Sequence, residues 1–124
     1  MRSIRILVVE DNALNLRLMR DILELRGHEV VEAGDVPQGR EQLERCAPDL
    51  VLLDIGIPGG GGEALLRDIR SDPKRTRLPV IAVTAYAMQG DRERLLALGF
   101  DAYLSKPIDT RTFAGDVEAV LTAS

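Results

Sequence analysis

Residues 50–54 read Leu-Val-Leu-Leu-Asp, four apolar residues in succession that end in an acid. A short apolar run without alternating polar residues is typical of a strand that is buried on both faces. Comparable runs occur at four further places, namely Ile4–Val9, Glu29–Ala33, Val80–Val83 and Ala102–Leu104. We therefore predict five short strands that lie within a sheet.

Segments in which apolar residues recur at helical spacing separate these runs. In the first segment the intervals are four, four and three, over Leu14, Leu18, Ile22 and Leu25. Asn12 precedes it as an N-cap candidate, and Gly27 follows it as a C-cap candidate. Four further helices are predicted: one opened by Asp35 with Pro37 in its first turn, one over Glu63–Arg70, one over Ala87–Leu98, and one from about Asp109–Thr110 onward.

Five strands that alternate with five helices predict a parallel sheet with helices on both faces, which is a doubly wound α/β fold. Right-handed crossover connections leave few possible strand orders, and we expect the flavodoxin-like order 2-1-3-4-5. In such a sheet strands 1 and 3 are neighbours, and ligands bind beside them at the carboxyl ends of the strands. The candidate functional residues are therefore those that follow the strands directly.

The composition is typical of a globular domain and excludes several kinds of partner. The 124 residues, 45% hydrophobic and 29% charged, are expected to form one domain over residues 1–124. A net charge of −4 offers no basic surface for nucleic acid. Cys46 is alone, so no internal disulfide is possible. No signal peptide or membrane span of ~20 apolar residues is present, so we expect a cytoplasmic protein. The start at Met1 and the helix near the end favour a free-standing protein.

Three carboxylates follow two strands that the predicted sheet places side by side. Strand 1 ends in Glu10-Asp11, and strand 3 ends in Asp54. Like charges at close range repel one another, and a divalent cation relieves that repulsion. Ligands that are all oxygen favour a hard ion, and Mg²⁺ fits best because it also keeps waters and leaves positions for a phosphate.

A hydroxyl and an ammonium group follow two other strands at the same edge. Thr84 ends strand 4, and Ser105-Lys106 ends strand 5. Together with a metal ion, these groups form a cradle for the oxygens of a phosphoryl group. The carboxylate at the centre of that cradle, Asp54, is a suitable nucleophile and would become an aspartyl phosphate.

These residues stand within four motifs that resemble those of response-regulator receiver domains. The motifs are Val9-Glu10-Asp11-Asn12, Leu53-Asp54-Ile55-Gly56-Ile57-Pro58, Thr84-Ala85 and Leu104-Ser105-Lys106-Pro107. They have the order and spacing of that family, and together they cover essentially the whole chain. The run from Thr84 to Arg92 also resembles that of single-domain regulators and of receivers in hybrid kinases.

The resemblance implies how phosphate and metal are held. Asp54 is expected to accept the phosphoryl group from a phosphohistidine on a histidine kinase or a histidine phosphotransferase. Asp11 and Asp54 would bind Mg²⁺ directly, Glu10 would help directly or through water, and the carbonyl of Gly56 would complete the protein ligands. Lys106 and Thr84 would bind phosphoryl oxygens.

The resemblance also implies a conformational switch. Thr84 and the aromatic residue Tyr103 would couple phosphorylation to a protein-binding surface on helix 4, strand 5 and helix 5, which includes Met88. The Lys106-Pro107 peptide bond would be cis. With no effector domain in the chain, the output is expected to be contact with a downstream protein partner, made by a monomer or a weak dimer that binds neither nucleic acid nor membrane.

Two features depart from the usual pattern of that family. Glu10 stands where many members have aspartate, and its longer side chain is expected to shift the first metal contact toward Asp11. The run Gly59–Gly62 replaces bulkier residues before a single glycine. We interpret it as a flexible connector rather than a phosphate-binding loop, because it lacks the terminal Gly-Lys-Ser/Thr. His28, alone before strand 2, is interpreted as a surface residue.

The same fold and motifs allow other functions. A pseudo-receiver that never takes phosphate is disfavoured by the intact acids, Thr84 and Lys106. That the chain is a receiver cut from a hybrid histidine kinase remains an open alternative. A phosphohydrolase of the dehalogenase-like type needs a second acid two residues after its nucleophile, where this chain has Gly56. A flavin-binding protein is disfavoured because acids after strand 1 repel the cofactor phosphate. We expect a switch protein, which assists its own phosphorylation and slow dephosphorylation, rather than an enzyme.

Overall fold

Strands and helices alternate through residues 3–57, 59, 61–85 and 90–122, which are the residues that the computed structural model describes. The strands are Arg5–Val9 (β1), Glu29–Ala33 (β2), Leu50–Asp54 (β3), Val80–Thr84 (β4) and Ala102–Ser105 (β5). The helices are Ala13–Leu25 (α1), Val36–Cys46 (α2), Gly61–Ser71 (α3), Asp91–Leu98 (α4) and Phe113–Thr122 (α5). The predicted alternation is confirmed.

All five strands are parallel and lie in the order β2-β1-β3-β4-β5, as predicted. β1 pairs with β3 in a register that ends with Val9 opposite Leu53. The residues that follow this pair are Glu10 and Asp54, so the two acids are neighbours at the carboxyl edge of the sheet. On the other side of β3, Asp54 lies opposite Val83 of β4. The register of the strands therefore fixes where the candidate site lies.

Side chains of the sheet point into two hydrophobic cores, one on each face. α2, α3 and α4 cover one face, where Leu43, Leu65 and Leu95 are buried. α1 and α5 cover the other face, where Leu23 and Phe113 are buried. β3 and β4 are buried along their whole length, including their last residues. The strand ends that carry the candidate site are thus held by packing on both sides.

α1 has two apolar stripes, and only one of them faces the core. The helix begins after Asn12 as predicted, because the Asn12 side chain accepts a hydrogen bond from the Asn15 N–H at 3.0 Å. Its fully buried side chains are Met19 and Leu23. Leu14 and Leu25, which helped to predict the helix, are 79% and 88% exposed. Of the four residues whose spacing predicted α1, Ile22 packs against the core, whereas Leu14 and Leu25 lie on the solvent side.

Gly61 and Gly62, the second half of the glycine run after Asp54, are packed in α3, which corrects the interpretation of this half as a flexible connector. α3 begins at Gly61, two residues earlier than predicted. The Gly62 N–H donates to the Ile55 carbonyl at 2.8 Å, and a Cβ on Gly62 would lie 2.8 Å from the Asp54 carbonyl oxygen. Gly62 thus allows the start of α3 to lie directly against the end of β3. Gly60 lies outside the described residues.

His28 is buried, which makes its interpretation as a surface residue wrong. Its side chain is 1% exposed and lies between β1 and α5. Its Nδ1 accepts a hydrogen bond from the Ile4 N–H at 3.3 Å, and its Nε2 lies 2.8 Å from a carboxylate oxygen of Glu118. Arg26 also binds this carboxylate. A buried polar side chain is tolerated here because each ring nitrogen has a partner.

α4 is shorter at its start than predicted. It begins at Asp91, because Gly90 before it adopts a left-handed backbone with φ of 95°. Residues 87–89 of the predicted helix lie outside the described residues, and Met88 is one of them. In the part of the chain that the structure describes, no helix has both the length and the apolar character of a membrane span.

Candidate functional site

β1 and β3 bring three carboxylates to one point at the carboxyl edge of the sheet. Glu10, Asp11 and Asp54 each place a carboxylate oxygen within 4.8 Å of the others. Glu10 and Asp54 are buried, whereas Asp11 is exposed to solvent. The structure therefore brings together the three acids that the sequence placed at these strand ends.

Glu10 is held by backbone groups on both sides. Its own N–H donates to the Ala33 carbonyl at 2.9 Å, and its Oε2 accepts from the Asn12 N–H at 3.1 Å. These bonds fix the direction of the side chain. Its Oε1 points into the site, where the Lys106 ammonium lies 2.7 Å away. Among the described residues, this is the one buried side-chain oxygen or nitrogen without a hydrogen-bond partner of good geometry.

Asp54 lies at the turn that leads from β3 to α3. Its Oδ1 accepts a hydrogen bond from the Gly56 N–H at 3.0 Å. The Ile55 N–H donates to the Val83 carbonyl at 3.2 Å, which continues the pairing with β4 past the end of the strand. The carboxylate of Asp54 is thereby oriented by its own loop, and its Oδ2 is directed toward β5.

Lys106 reaches this cluster from the end of β5. Its Nζ lies 3.0 Å from Asp54 Oδ2 and 2.7 Å from Glu10 Oε1. The Lys106 N–H donates to the Thr84 carbonyl at 2.8 Å, and the Lys106-Pro107 bond is cis, as the resemblance implies. The side chain is 17% exposed, so its ammonium lies mostly out of solvent between two acids.

The pKa values of the two buried acids move in opposite directions. Burial raises the pKa of Glu10, and its hydrogen bond with Asp54 raises it further, against the effect of Lys106 and the Asn12 N–H. Burial also acts to raise the pKa of Asp54. Hydrogen bonds with Glu10, the Gly56 N–H and Lys106 outweigh it, so that the pKa of Asp54 is lowered. The site therefore favours the ionised form of Asp54 more strongly than that of Glu10.

The remaining predicted residues lie on β4 and β5. Thr84 is buried at the end of β4, opposite Ser105 in the strand register and one residue beyond the partner of Asp54. Tyr103 is half-buried on β5 and packs against the core that α2, α3 and α4 cover. Thr84 thus lies beside the acid cluster, whereas Tyr103 lies below the edge of the sheet, toward α4.

The donor set of this cluster fits a small hard cation. The acids offer oxygen atoms alone, one of them a buried oxygen of Glu10 that lacks a well-directed partner. The exposed carboxylate of Asp11 leaves room for water, and Mg²⁺ keeps several waters when proteins bind it. Lys106 contacts Glu10 and Asp54, and the exposed Asp11 adds a third acid at the same point, so acids outnumber the ammonium where a cation would bind.

The match to known families decides what kind of domain this is. The response regulator receiver domain family matches residues 6–118, a span that includes all four motifs at the strand ends. The chain belongs to this family. It is the receiver domain of a two-component response regulator, with the five-stranded parallel sheet and five helices predicted from the sequence.

The known proteins that are similar to this receiver are also response regulators or receiver domains. The polar-differentiation response regulator DivK of Brucella anthropi is 37% identical over 116 residues, which are 94% of each chain. The receiver domain of the sensor histidine kinase PA1611 from Pseudomonas aeruginosa PAO1 is 33% identical, with a TM-score of 0.86 over 98% of this chain and 99% of that one. That structure has a magnesium ion coordinated in its active-site cleft. The chemotaxis response regulator CheY4 of Vibrio cholerae, 19% identical with a TM-score of 0.90 over 96% of this chain and 99% of that one, shows the shared fold.

Sequence reasoning missed the contact between Lys106 and Glu10 in this receiver. It predicted three acids that repel one another until a metal ion binds, whereas the ammonium of Lys106 contacts two of them. The signal was present in the sequence. A glutamate at position 10 is longer by one methylene than an aspartate, and Lys106 was already placed at the same edge of the sheet.

Proposed function

We propose that the receiver is a phosphoacceptor whose nucleophile is Asp54. A carboxylate oxygen of Asp54 attacks the phosphorus atom of a phosphohistidine, and the bond from phosphorus to the imidazole nitrogen breaks. The products are an aspartyl phosphate and the free histidine of the donor. The observation that carries this proposal is the contact of 3.0 Å between Lys106 Nζ and Asp54 Oδ2. A fixed cation at the nucleophile stabilises the negative charge of an incoming phosphoryl group.

Mg²⁺ is the cofactor that the acid cluster supports. Asp11 and Asp54 would hold it directly, with Glu10 bound directly or through water and the Gly56 carbonyl as the last protein ligand. When bound, the ion neutralises charge on the carboxylates and on the phosphoryl oxygens. The magnesium ion in the related kinase receiver supports this assignment.

Thr84 and Lys106 serve the phosphoryl group after transfer. The hydroxyl of Thr84 donates to one phosphoryl oxygen, and the ammonium of Lys106 binds another. These residues come from β4 and β5, and Asp54 comes from β3. The phosphoryl group would therefore contact residues from three adjacent strands. The receiver can act as a switch in this way without catalysing a reaction on a separate substrate.

The output surface lies on α4, β5 and α5. Movement of Thr84 toward the phosphoryl group leaves space beneath α4 that the ring of Tyr103 can fill. The ring thus has two packings, one turned inward and one not, and phosphorylation favours the inward one. A groove of about 1000 Å³ borders this region, lined by Leu96, Tyr103 and Phe113 among others. A downstream protein partner would bind here, to a receiver that is a monomer or a weak dimer.

The phosphohistidine donor would dock beside the acids. Its imidazole must reach Asp54, so the donor has to contact the elements around the carboxyl edge. Leu14 at the start of α1 is 79% exposed, and Leu18 one turn later is 36% exposed. With Pro107 and Ile108 of the loop after β5, they form an apolar border for a histidine kinase or a histidine phosphotransferase.

Two alternatives have different support. A pseudo-receiver has no need of Lys106 in contact with Asp54, so this contact speaks against it. A receiver cut from a hybrid histidine kinase would have the same site. The kinase receiver at 33% identity favours it, and DivK at 37% identity favours a response regulator of this length.

Acetyl phosphate tests the proposal directly. Incubated with Mg²⁺, the wild type should gain ~80 Da in intact mass, the increment of one phosphoryl group on a carboxylate. Asp54→Asn should gain nothing, while Asp49→Asn, a change at an acid outside the site, should gain the same mass as the wild type. Undiminished labelling of Asp54→Asn would overturn the site assignment, and an unlabelled wild type would favour the pseudo-receiver.

A further inference from the structure

The carboxyl end of α4 is fixed by the side chain of Arg70, the basic residue in the last turn of α3. Two of its guanidinium nitrogens donate to the carbonyl of Gly99, the residue that ends α4, at 2.8 and 3.0 Å. A third nitrogen donates to the Leu78 carbonyl at 2.7 Å, and the Asp101 carboxylate lies 2.9 Å away. Only 23% of the Arg70 side chain is exposed, so these bonds lie mostly out of solvent.

The residues that follow α4 are fixed to the start of β4 as well. The Asp101 N–H donates to the Val80 carbonyl at 2.8 Å, and the Asp101 carboxylate accepts from the Val80 N–H at the same distance. Phe100 lies between these bonds and the helix, and its side chain is buried in the core that α4 covers. The carboxyl end of α4 is thus held by backbone, side-chain and apolar contacts together.

The amino end of α4 is held less firmly. Gly90, its N-cap residue, has a left-handed backbone and no side chain that could cap the helix, and a Cβ placed on it would meet nothing within 4 Å. An ion pair of 3.0 Å between Arg94 and Glu63 connects this end with the first turn of α3. Both side chains are exposed, by 52% and 38%, and exposed ion pairs are weak and screened by salt.

We propose that α4 is a lever that pivots at its carboxyl end, where Arg70 holds Gly99. The ion pair between Arg94 and Glu63 is a latch, which holds the amino end in the position that α4 has in the unphosphorylated receiver. Asp91 lies about 12 Å from Gly99 along the helix, at 1.5 Å per residue, so rotation about the pivot displaces the amino end most. The inference rests on the proposed function, in which phosphorylation changes the packing beneath α4.

The lever divides the output surface into two parts. The amino end of α4 changes position with phosphorylation, whereas Leu98 and the start of β5 stay in place. A partner that distinguishes the two states has to contact the amino end. The latch favours the unphosphorylated position, and phosphorylation must overcome it. Because the ion pair is exposed, its expected effect on this equilibrium is about twofold to fivefold. It therefore adjusts the switch and does not prevent it.

Titration with beryllofluoride, a mimic of the phosphoryl group, tests the latch. With MgCl₂ present and amide chemical shifts as the measurement, Glu63→Gln should raise the apparent affinity about twofold to fivefold, because the unbound state loses its ion pair. Glu93→Gln is the same change at an exposed acid of α4 that forms no ion pair with a described residue, and it should bind like the wild type. A Glu63→Gln variant with unchanged or lower affinity would overturn the latch.

A second background separates the ion pair from the charge of Glu63 itself, since this acid follows Gly62 at the end of β3. In Arg94→Gln the partner is already gone, so adding Glu63→Gln should leave the affinity for beryllofluoride nearly unchanged. A gain as large as in the wild-type background would mean that the lost charge acts on the site directly. That result would refute the latch.

Residual dipolar couplings of the backbone amides test the pivot, because they report the direction of each N–H bond. When beryllofluoride binds, the couplings of residues 92–98 should change together, while those of residues 99–101 should still fit the unphosphorylated structure. Arg70→Lys keeps the charge but loses the planar set of donors, so residues 99–101 should then change as well. Unchanged couplings over residues 92–98, or fixed couplings over residues 99–101 in Arg70→Lys, would refute the pivot.

Failure of this inference can be told apart from failure of the proposed function. Acetyl phosphate labelling of the wild type, followed by intact mass, is run with the same preparation. If the wild type is labelled while Glu63→Gln binds beryllofluoride like Glu93→Gln, the phosphoacceptor function stands and the latch falls. If the wild type takes no label and binds no beryllofluoride, the proposed function fails, and the lever fails with it.

Discussion

Glu10 and Asp54 are both buried acids next to the same ammonium, yet they are suited to different tasks. Burial raises the pKa of Glu10, whereas the hydrogen bonds of Asp54 to Glu10, the Gly56 N–H and Lys106 lower its pKa despite burial. A nucleophile has to be ionised to attack phosphorus, and the acid with the lowered pKa is the one that meets this need. The different environments of two neighbouring side chains thus separate their roles.

Glu118 gives a second case in which one side chain sets a measurable property. Its hydrogen bonds with Arg26 and His28 lower the pKa of this buried acid from 4.5 to about 2. A lowered pKa in the folded state stabilises the protein fully above about pH 4.5, and this contribution is lost as the pH falls toward about 2. Glu118→Gln should therefore lower the free energy of unfolding at pH 7 by about 1–3 kcal/mol.

The same substitution should reduce how steeply stability falls between pH 4.5 and about 2, the interval set by the lowered pKa. Urea unfolding at a series of pH values measures both effects. Glu93→Gln, at an exposed position of α4, is the matched control and should leave both nearly unchanged. A Glu118→Gln variant with the stability and acid sensitivity of the wild type would contradict the structural role of the bonds to Arg26 and His28.

The start of α3 packs against the end of β3 because Gly62 has no side chain. Gly62→Ala would place a methyl group 2.8 Å from the Asp54 carbonyl oxygen and 2.9 Å from the Ile55 Cα. Overpacking of this kind costs about 1–3 kcal/mol, and here it also displaces the backbone of Asp54. We expect Gly62→Ala to unfold at lower urea concentration and to accept phosphoryl from acetyl phosphate more slowly.

Gly115→Ala in α5 is the control, because a Cβ on Gly115 meets nothing within 4 Å. Alanine is the better helix former, so this variant should be more stable by up to about 1 kcal/mol and should be labelled at the wild-type rate. If both glycine variants shifted the unfolding midpoint in the same direction, the close approach of α3 to β3 would not be the reason for Gly62.

α1 offers a test of donor docking, because its exposed leucines lie at both ends of one helix. Leu14→Asp should slow phosphoryl transfer from a phosphohistidine donor, since the donor would have to cover a charge next to the acids. Labelling by acetyl phosphate, which needs no docking surface, should continue. Leu25 is 88% exposed and lies about 16 Å farther along the helix, at 1.5 Å per residue.

Leu25→Asp should therefore leave both rates unchanged, which makes it the control for the added charge. Comparable slowing with both phosphoryl donors would mean that Leu14→Asp damages the site itself. Comparable slowing by Leu14→Asp and Leu25→Asp with the histidine donor would instead indicate a general effect of negative charge on α1.

The molecule as a whole should respond to Mg²⁺ through its stability. A ligand that binds only the native state raises the free energy of unfolding, by about 1.4 kcal/mol at ten times its dissociation constant. For a domain of this size, that corresponds to a rise in melting temperature of about 3–6 °C. Asp11→Asn should abolish the rise, and differential scanning calorimetry with and without MgCl₂ measures it. A rise of equal size in Asp11→Asn would exclude that acid as a ligand.

The sequence predicted the features that depend on local sequence pattern. It failed for features that depend on contacts between segments distant in sequence. Strand ends and the order of elements followed from apolar runs and helical spacing. The buried face of α1 did not, because spacing alone allows two apolar stripes and the packing of α5 and the sheet selects one. His28 was misjudged because its partner Glu118 lies 90 residues away in sequence. The glycine run was misjudged because glycine occurs both where a backbone is flexible and where two backbone segments pack closely, and the sequence does not distinguish the two cases.

The register of β1 against β3 has a further consequence. Glu10 and Asp54 become neighbours because Val9 pairs with Leu53, and a slip by one residue would turn the side chains of a strand to the opposite face. Under the proposed function, a chain that folds in the wrong register holds no working phosphoacceptor. Misfolded chains would then accept no phosphoryl group from the kinase. Errors of folding would lower the amount of phosphorylated receiver, but they would not produce a falsely activated one.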